Sequence, residues 1–146
     1  MAKDYSVAAV TAAQSYSYSH LNAMTTKPQL VIIITHAGRD PGAAALGFLT
    51  ASAALAAGNR VAVLLRGEGV LCAPPEGWAA GLHATGYPPL REVRDAYRAS
   101  GGALYLSHPC LRRYRLSADH ALLPDAWVPS IEEMANFCIG ATTLTF

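Results

Sequence analysis

The sequence predicts an α/β fold, a three-layer α/β/α sandwich around a mostly parallel sheet of about five strands. Two observations carry that prediction. Leu30–Thr35 is an unbroken, mostly β-branched run and Arg60–Leu65 carries a second unbroken apolar run, and neither shows the alternation of a half-exposed strand. Each therefore reads as a strand buried on both faces, the mark of a parallel sheet. An alanine-rich stretch of helical length separates them, and strand and helix signals go on alternating to the end of the chain.

The elements follow in order. After Leu30–Thr35 comes His36-Ala37-Gly38-Arg39-Asp40-Pro41-Gly42, a loop of turn residues. Asp40 is placed to cap a helix and Pro41 to take its first position. That helix runs from about Gly42 to Ala57, where Gly58-Asn59 stop it. Arg60–Leu65 then completes a β-α-β unit with a right-handed crossover. The next stretch is broken by Gly67, Gly69, Pro74, Pro75, Gly77, Gly81 and Gly86, with one short helix near Val70-Leu71-Cys72. Long excursions of this kind are often functional or lie at interfaces.

Pro88-Pro89 opens a helix that reaches about Ser100, with Leu90, Val93 and Tyr97 on one face and Gly101-Gly102 at its end. Ala103–Ser107 is the third strand, and His108-Pro109-Cys110 turns into a short helix through about Tyr114. Trp127-Val128-Pro129 reads as a brief strand. Ser130 and Glu133 form a capping-box pattern that starts a helix ending near Ile139, stopped by Gly140. The closing residues 141–146 are β-prone.

The 146 residues divide into a flexible tail, 1–28, and one domain, 29–146. In the tail, Ser15-Tyr16-Ser17-Tyr18-Ser19 has no helical period and Lys27-Pro28 punctuates its end. Met24, just before the folded pattern, is an alternative natural start, and the tail serves as a loose end or an oligomer arm. Apolar residues make up 52% and charged residues only 14%, so little polar surface is on offer. Coverage of part of the exterior by other subunits is the expected remedy.

A net charge of +1 gives no basis for a nucleic-acid or membrane-surface partner. No apolar run approaches a membrane span, and Val7–Val10 is too short for a signal peptide, so a cytoplasmic protein is expected. Cys72, Cys110 and Cys138 are too few and scattered for a disulfide framework. With no Cys-x-x-Cys or His-x-x-x-His pair among them and the five histidines, no metal is expected.

Ligands of open parallel sheets bind outside the carboxyl ends of the strands. Segments 36–42, 66–72 and 107–115 meet that description. The third is the most informative. Cys110 follows a proline at the start of a helix, where free N–H groups and the positive end of the dipole favour a thiolate. Arg112, Arg113 and Arg115 follow within about one and a half turns, and His108 is placed to bond the sulfur or carry its proton. The alternative is a small buried apolar residue beside solvated arginines. Cys72 and Cys138, among apolar neighbours, are expected in the core.

At the first strand end, His36 and Arg39 are candidates for binding an anionic group, while Asp40 is a helix cap; a solvated loop is the alternative. The G-x-G-x-x-G fingerprint is missing, so no dinucleotide cofactor is expected. Cys110 to Arg115 has the length of a rhodanese-type loop without its glycines, and a phosphatase loop needs one more residue before its arginine. Glu68, His83 and His120 have no partners that the sequence identifies and are assigned to the surface.

The strand Leu30–Thr35, the loop ending Arg39-Asp40-Pro41, the alanine-rich helix and Gly58-Asn59-Arg60-Val61 resemble the opening of DsrE/DsrF-like proteins. Gly67-Glu68-Gly69-Val70 resembles the family's segment after strand two, and Ala103–Cys110 its cysteine segment. The resemblance spans roughly residues 30–146. It implies a sulfur-handling protein, since members such as the TusD-like relay subunits carry persulfide sulfur on a cysteine and pass it on. It also implies a trimer or hexamer working with sulfur donor and acceptor proteins. Ser107 stands where many relatives place a cysteine, and Tyr114-Arg115 replaces the Arg-Gly that often follows. A two-cysteine mechanism within this segment is therefore excluded, and Ser107, Arg112 and Arg113 become binding candidates around Cys110.

Three readings follow. The first is a carrier of sulfane sulfur, as a persulfide on Cys110. The second is a non-catalytic oligomeric binding or regulatory subunit with a strand-end cleft for a small ligand or a partner's tail. The third is a nucleotide- or flavin-binding domain on a flavodoxin-like sheet.

Overall fold

A computed structural model describes residues 27–76, 78–116, 123 and 125–146. The expected tail, residues 1–28, lies outside the described residues except for Lys27 and Pro28, as does His120.

The elements are β1 (Leu30–Ile34), α1 (Pro41–Ala56), β2 (Val61–Leu65), two 3-10 turns (Gly67–Cys72 and Trp78–Gly81), α2 (Leu90–Ala99), β3 (Ala103–Leu106), α3 (His108–Arg113), β4 (Ala126–Trp127), α4 (Ile131–Cys138) and β5 (Thr142–Thr145). The five strands form one sheet in the order β4-β3-β2-β1-β5, and every pairing is parallel. Leu30 is in register with Val61 on one side and Thr142 on the other. The expected α/β sandwich is the observed fold. β4 begins one residue earlier than its sequence signal, at Ala126, and ends before Pro129, which has no N–H to give a ladder.

From β1 the chain steps outward to β4, then returns through α4 to β5 on the far side of β1. Right-handed crossovers that reverse direction put their helices on opposite faces. Accordingly, Ala44, Phe48, Leu90, Val93, Tyr97 and Leu111 pack with Ile32, Ile34, Val63 and Leu65 on one face. On the other, Val31, Ala62, Leu64 and Tyr105 meet Met134, Phe137 and Cys138 of α4. Small residues let α1 lie close to β1: a Cβ on Gly47 would stand 2.8 Å from Ile34 Cγ1. Asp40 Oδ1 accepts the Ala43 N–H at 2.9 Å as the expected cap, and Ser130 with Glu133 forms the expected capping box.

The broken stretch after β2 is less loose than its glycines and prolines suggest. Arg94, 2% exposed, reaches from α2 and donates to the carbonyls of Cys72, Pro74 and Pro75 at 3.0, 3.0 and 3.3 Å. Its Nε donates to Asp95 at 2.9 Å. Carbonyls that no strand or helix satisfies thus find a buried cation. Partial burial works to raise the Asp95 carboxyl but is outweighed by Arg94 and Arg98, which hold it below the usual carboxylate range.

Two core groups couple stability to alkaline pH. Burial pushes the Cys72 thiol up to about 12, against the pull of the nearby Arg94 charge. Burial likewise raises the Tyr97 phenol, whose hydroxyl donates to the Ala103 carbonyl at 2.6 Å. Both groups release a proton more readily unfolded than folded. For Cys72 the resulting stability is intact below its ordinary value of 9.0 and drains away as pH climbs towards about 12. Melting temperature should therefore fall between about pH 8 and about pH 11, less steeply in Cys72→Ala. Equal slopes for the two proteins would contradict the assignment.

Among the described residues, no helix is long and apolar enough to cross a membrane, and no group of three His, Cys, Asp or Glu is placed to hold a metal ion.

Candidate functional site

The carboxyl ends of β1, β2 and β3 each run directly into a segment that carries polar side chains: Thr35–Asp40, Arg66–Cys72 and Ser107–Arg113. Because the strands are parallel neighbours, the three segments emerge along one edge of the sheet. Backbone bonds tie them to the strand ends, Arg66 N–H to the Ile34 carbonyl at 3.0 Å and Ser107 N–H to the Leu65 carbonyl at 3.1 Å.

Cys110 is half-buried in the first turn of α3. Its Sγ accepts the backbone N–H of Gly67 at 3.1 Å. The sulfur thus has a donor that the spacing around Cys110 does not show. α3 has only six residues and begins at His108, with Cys110 third, and the donor comes from the segment after β2. Gly67 takes up φ +52, a left-handed conformation that glycine adopts without a Cβ penalty.

Glu68 follows directly. Its Oε1 accepts the Arg39 N–H at 3.0 Å and its Oε2 lies 3.9 Å from Arg39 Nε. The Glu68 side chain is 13% exposed and that of Arg39 is 89% exposed, so the carboxylate is the fixed partner. Arg39 is thus engaged in joining two strand-end segments.

His36 is exposed beside Thr35. The Thr35 hydroxyl donates to the Phe146 carbonyl at 2.9 Å, which uses its proton. His36 Nδ1, 3.1 Å from the same oxygen, must then be the donor, leaving Nε2 as the ring's lone-pair nitrogen when neutral.

The remaining candidates separate. Ser107 is buried and stands at the N-cap of α3, but its side chain makes no capping bond. His108 lines a cleft of about 350 Å³ with Pro109, Val128, Pro129, Ser130 and Ile131, between the ends of β3 and β4. Arg112 and Arg113 are exposed in the last turn of α3, where cations suit the negative end of the helix. Spacing of three residues puts Arg113 on the face of Cys110, whereas Arg112 turns away. Arg115 holds φ +57 just past the helix, and Leu116 N–H bonds the Leu111 carbonyl at 2.8 Å to close a Schellman-type end.

Of the other thiols, Cys72 is buried as expected, while Cys138 is half-buried at the edge of the second apolar cluster. Burial that keeps Cys72 protonated also makes it inert. Iodoacetamide applied to the folded protein at neutral pH should label Cys110 and leave Cys72 unmodified, as read by peptide mass. Labelling of Cys72 at the rate of Cys110 would contradict the burial.

Sequence reasoning missed Gly67 and Glu68. The acid between two glycines directly after a strand was the available signal, but its partners lie on other segments.

The DsrE/DsrF-like family model matches residues 29–146. Among solved structures, the chain is similar to the YchN protein from E. coli, with a TM-score of 0.64 at 17% identity, over 82% of this chain and 99% of that one. No curated protein matches the chain. The match extends over most of the chain, from the residue before β1 through β5, and this chain belongs to the DsrE/DsrF-like family, which is associated with sulfur relay.

Proposed function

We propose that this protein carries sulfane sulfur as a persulfide on Cys110 and hands it to an acceptor thiol. The observation that carries the reading is the Gly67 N–H aimed at Cys110 Sγ at 3.1 Å. A backbone N–H in that position is a fixed donor for the charge that develops on the sulfur when it leaves. Membership of the family supports the same chemistry.

In the loading step the Cys110 thiolate attacks the outer sulfur of a donor persulfide. A new S–S bond forms, the donor's S–S bond breaks, and the donor departs as a thiolate. With thiosulfate the leaving group is sulfite. In the unloading step an acceptor thiolate attacks the terminal sulfur and Cys110 leaves as thiolate. Electrons balance without an external oxidant, since the sulfane sulfur moves as one unit. Gly67 N–H receives the charge each time it returns to Cys110 Sγ, and Arg113 on the same helical face adds a nearby cation.

The transfer is tested with thiosulfate as donor and cyanide as acceptor. Wild type should form thiocyanate above the uncatalysed rate, and Cys110→Ser should fall to that background. A Cys110→Ser protein as active as wild type would overturn the assignment.

A second reading has its own observation. The cleft lined by His108 and Ile131 is a concave, largely apolar surface at a strand end, suited to a small ligand or a partner's tail. It favours a binding subunit if Cys110 proves inert.

Assembly into a homo-oligomer belongs to the proposal as well. α4 has no fully buried residue, and Ile131 and Ile139 are 67% and 64% exposed, surface that another copy would cover. Sedimentation of the full chain reads this directly: a species heavier than one chain is expected, and a monomer at micromolar concentration contradicts it.

A further inference from the structure

We infer that Glu68 is a positioning residue for Cys110, acting through the Gly67 N–H and not through its own charge. The inference rests on the reading of Cys110 as the reacting thiol, and it concerns what holds the sulfur's donor in place.

The turn Gly67–Cys72 is fixed from two sides. On the sheet side, Arg66 N–H donates to the Ile34 carbonyl at 3.0 Å. Gly69 packs so closely there that a Cβ would fall far inside contact with the Ile34 carbonyl oxygen. On the outer side, the Glu68 carboxylate accepts the Arg39 N–H at 3.0 Å. Gly67 lies between these anchors, in a left-handed conformation at φ +52, and its N–H meets Cys110 Sγ. Glycine is the residue least able to keep one conformation unaided. Its neighbour's bond to another segment therefore decides whether that N–H stays on the sulfur.

The Glu68 contact is chiefly an acceptor for a backbone N–H. Arg39 Nε is 3.9 Å away on a side chain that is 89% exposed, a geometry from which ion pairing gains little. An amide oxygen can accept the same N–H.

The experiment is the rate of Cys110 carbamidomethylation at fixed pH in wild type, Glu68→Ala and Glu68→Gln, resolved by peptide mass so that Cys138 does not contribute. Melting curves show that each variant is folded. Glu68→Ala should label on the order of tenfold more slowly, the scale of a lost hydrogen bond to an ionised group, and Glu68→Gln should stay within about twofold of wild type. A Glu68→Ala rate equal to or above wild type overturns the inference, as does a Glu68→Gln rate as low as that of Glu68→Ala. If Glu68→Ala does not fold, amide exchange decides. The Gly67 N–H should be protected in wild type and in Glu68→Gln, and exchange at an open-loop rate in wild type overturns the inference. Failure of wild type to take up sulfur would remove the sulfur reading but leave the labelling comparison standing, so the two failures are distinguishable.

Discussion

Gly69→Ala is expected to cost about 3 kcal/mol of stability and to loosen the Cys110 site with it. The added Cβ would collide with the Ile34 carbonyl oxygen. That oxygen belongs to a strand paired on both sides, with β2 and β5, so it cannot move aside. The turn must lift instead. Lifting it stretches the bond from Arg66 N–H to Ile34 and carries Gly67 away from Cys110 Sγ. Gly81→Ala is the matched control, since nothing lies within 4 Å of its Cβ, and it should stay within about 0.5 kcal/mol of wild type. Urea unfolding measures both, and Cys110 labelling should slow only in Gly69→Ala. A Gly69→Ala protein as stable as the Gly81→Ala control would contradict this packing.

Arg94→Met is expected to cost a similar amount, about 3 to 4 kcal/mol. Methionine fills much of the arginine's path but donates nothing to the carbonyls of Cys72, Pro74 and Pro75. Those oxygens lie beside a side chain that is 2% exposed, so water does not replace it without opening the structure. The effect should be local as well as global. Backbone amides of residues 67–82 should exchange faster in Arg94→Met, while those of β1 keep their protection. Lysine at the same position restores the charge but not the branched donor geometry, and should recover only part of the loss.

These two residues also show where sequence reading stops. The strands β1 and β2 were legible because their apolar runs are local and unbroken. Asp40 and the pair Ser130 and Glu133 were legible because a cap and the N–H it serves lie within three residues. Arg94 was not, since an arginine in a helix reads as a solvated residue until its partners twenty positions away are known. The same holds at the site. Cys110 stood out from its neighbours in the chain, yet the contact that supports it comes from Gly67, on a segment brought alongside only by the pairing of β2 with β3. Local reasoning saw the helix start at which Cys110 stands, and not the segment that lies against it. The cleft that His108 lines was likewise hidden, because its other wall comes from Val128 to Ile131. Glu68 was given to the surface because Arg39 N–H, its partner, is a backbone group that no side-chain pattern announces.

Whether Cys110 holds the sulfur is read by intact-mass analysis. Wild type and Cys110→Ser are incubated with thiosulfate or polysulfide and weighed before and after reduction. Wild type should gain one sulfur atom, lost on reduction and absent from Cys110→Ser. A wild type left unmodified by each donor, or a Cys110→Ser protein that takes up the same sulfur, would contradict it.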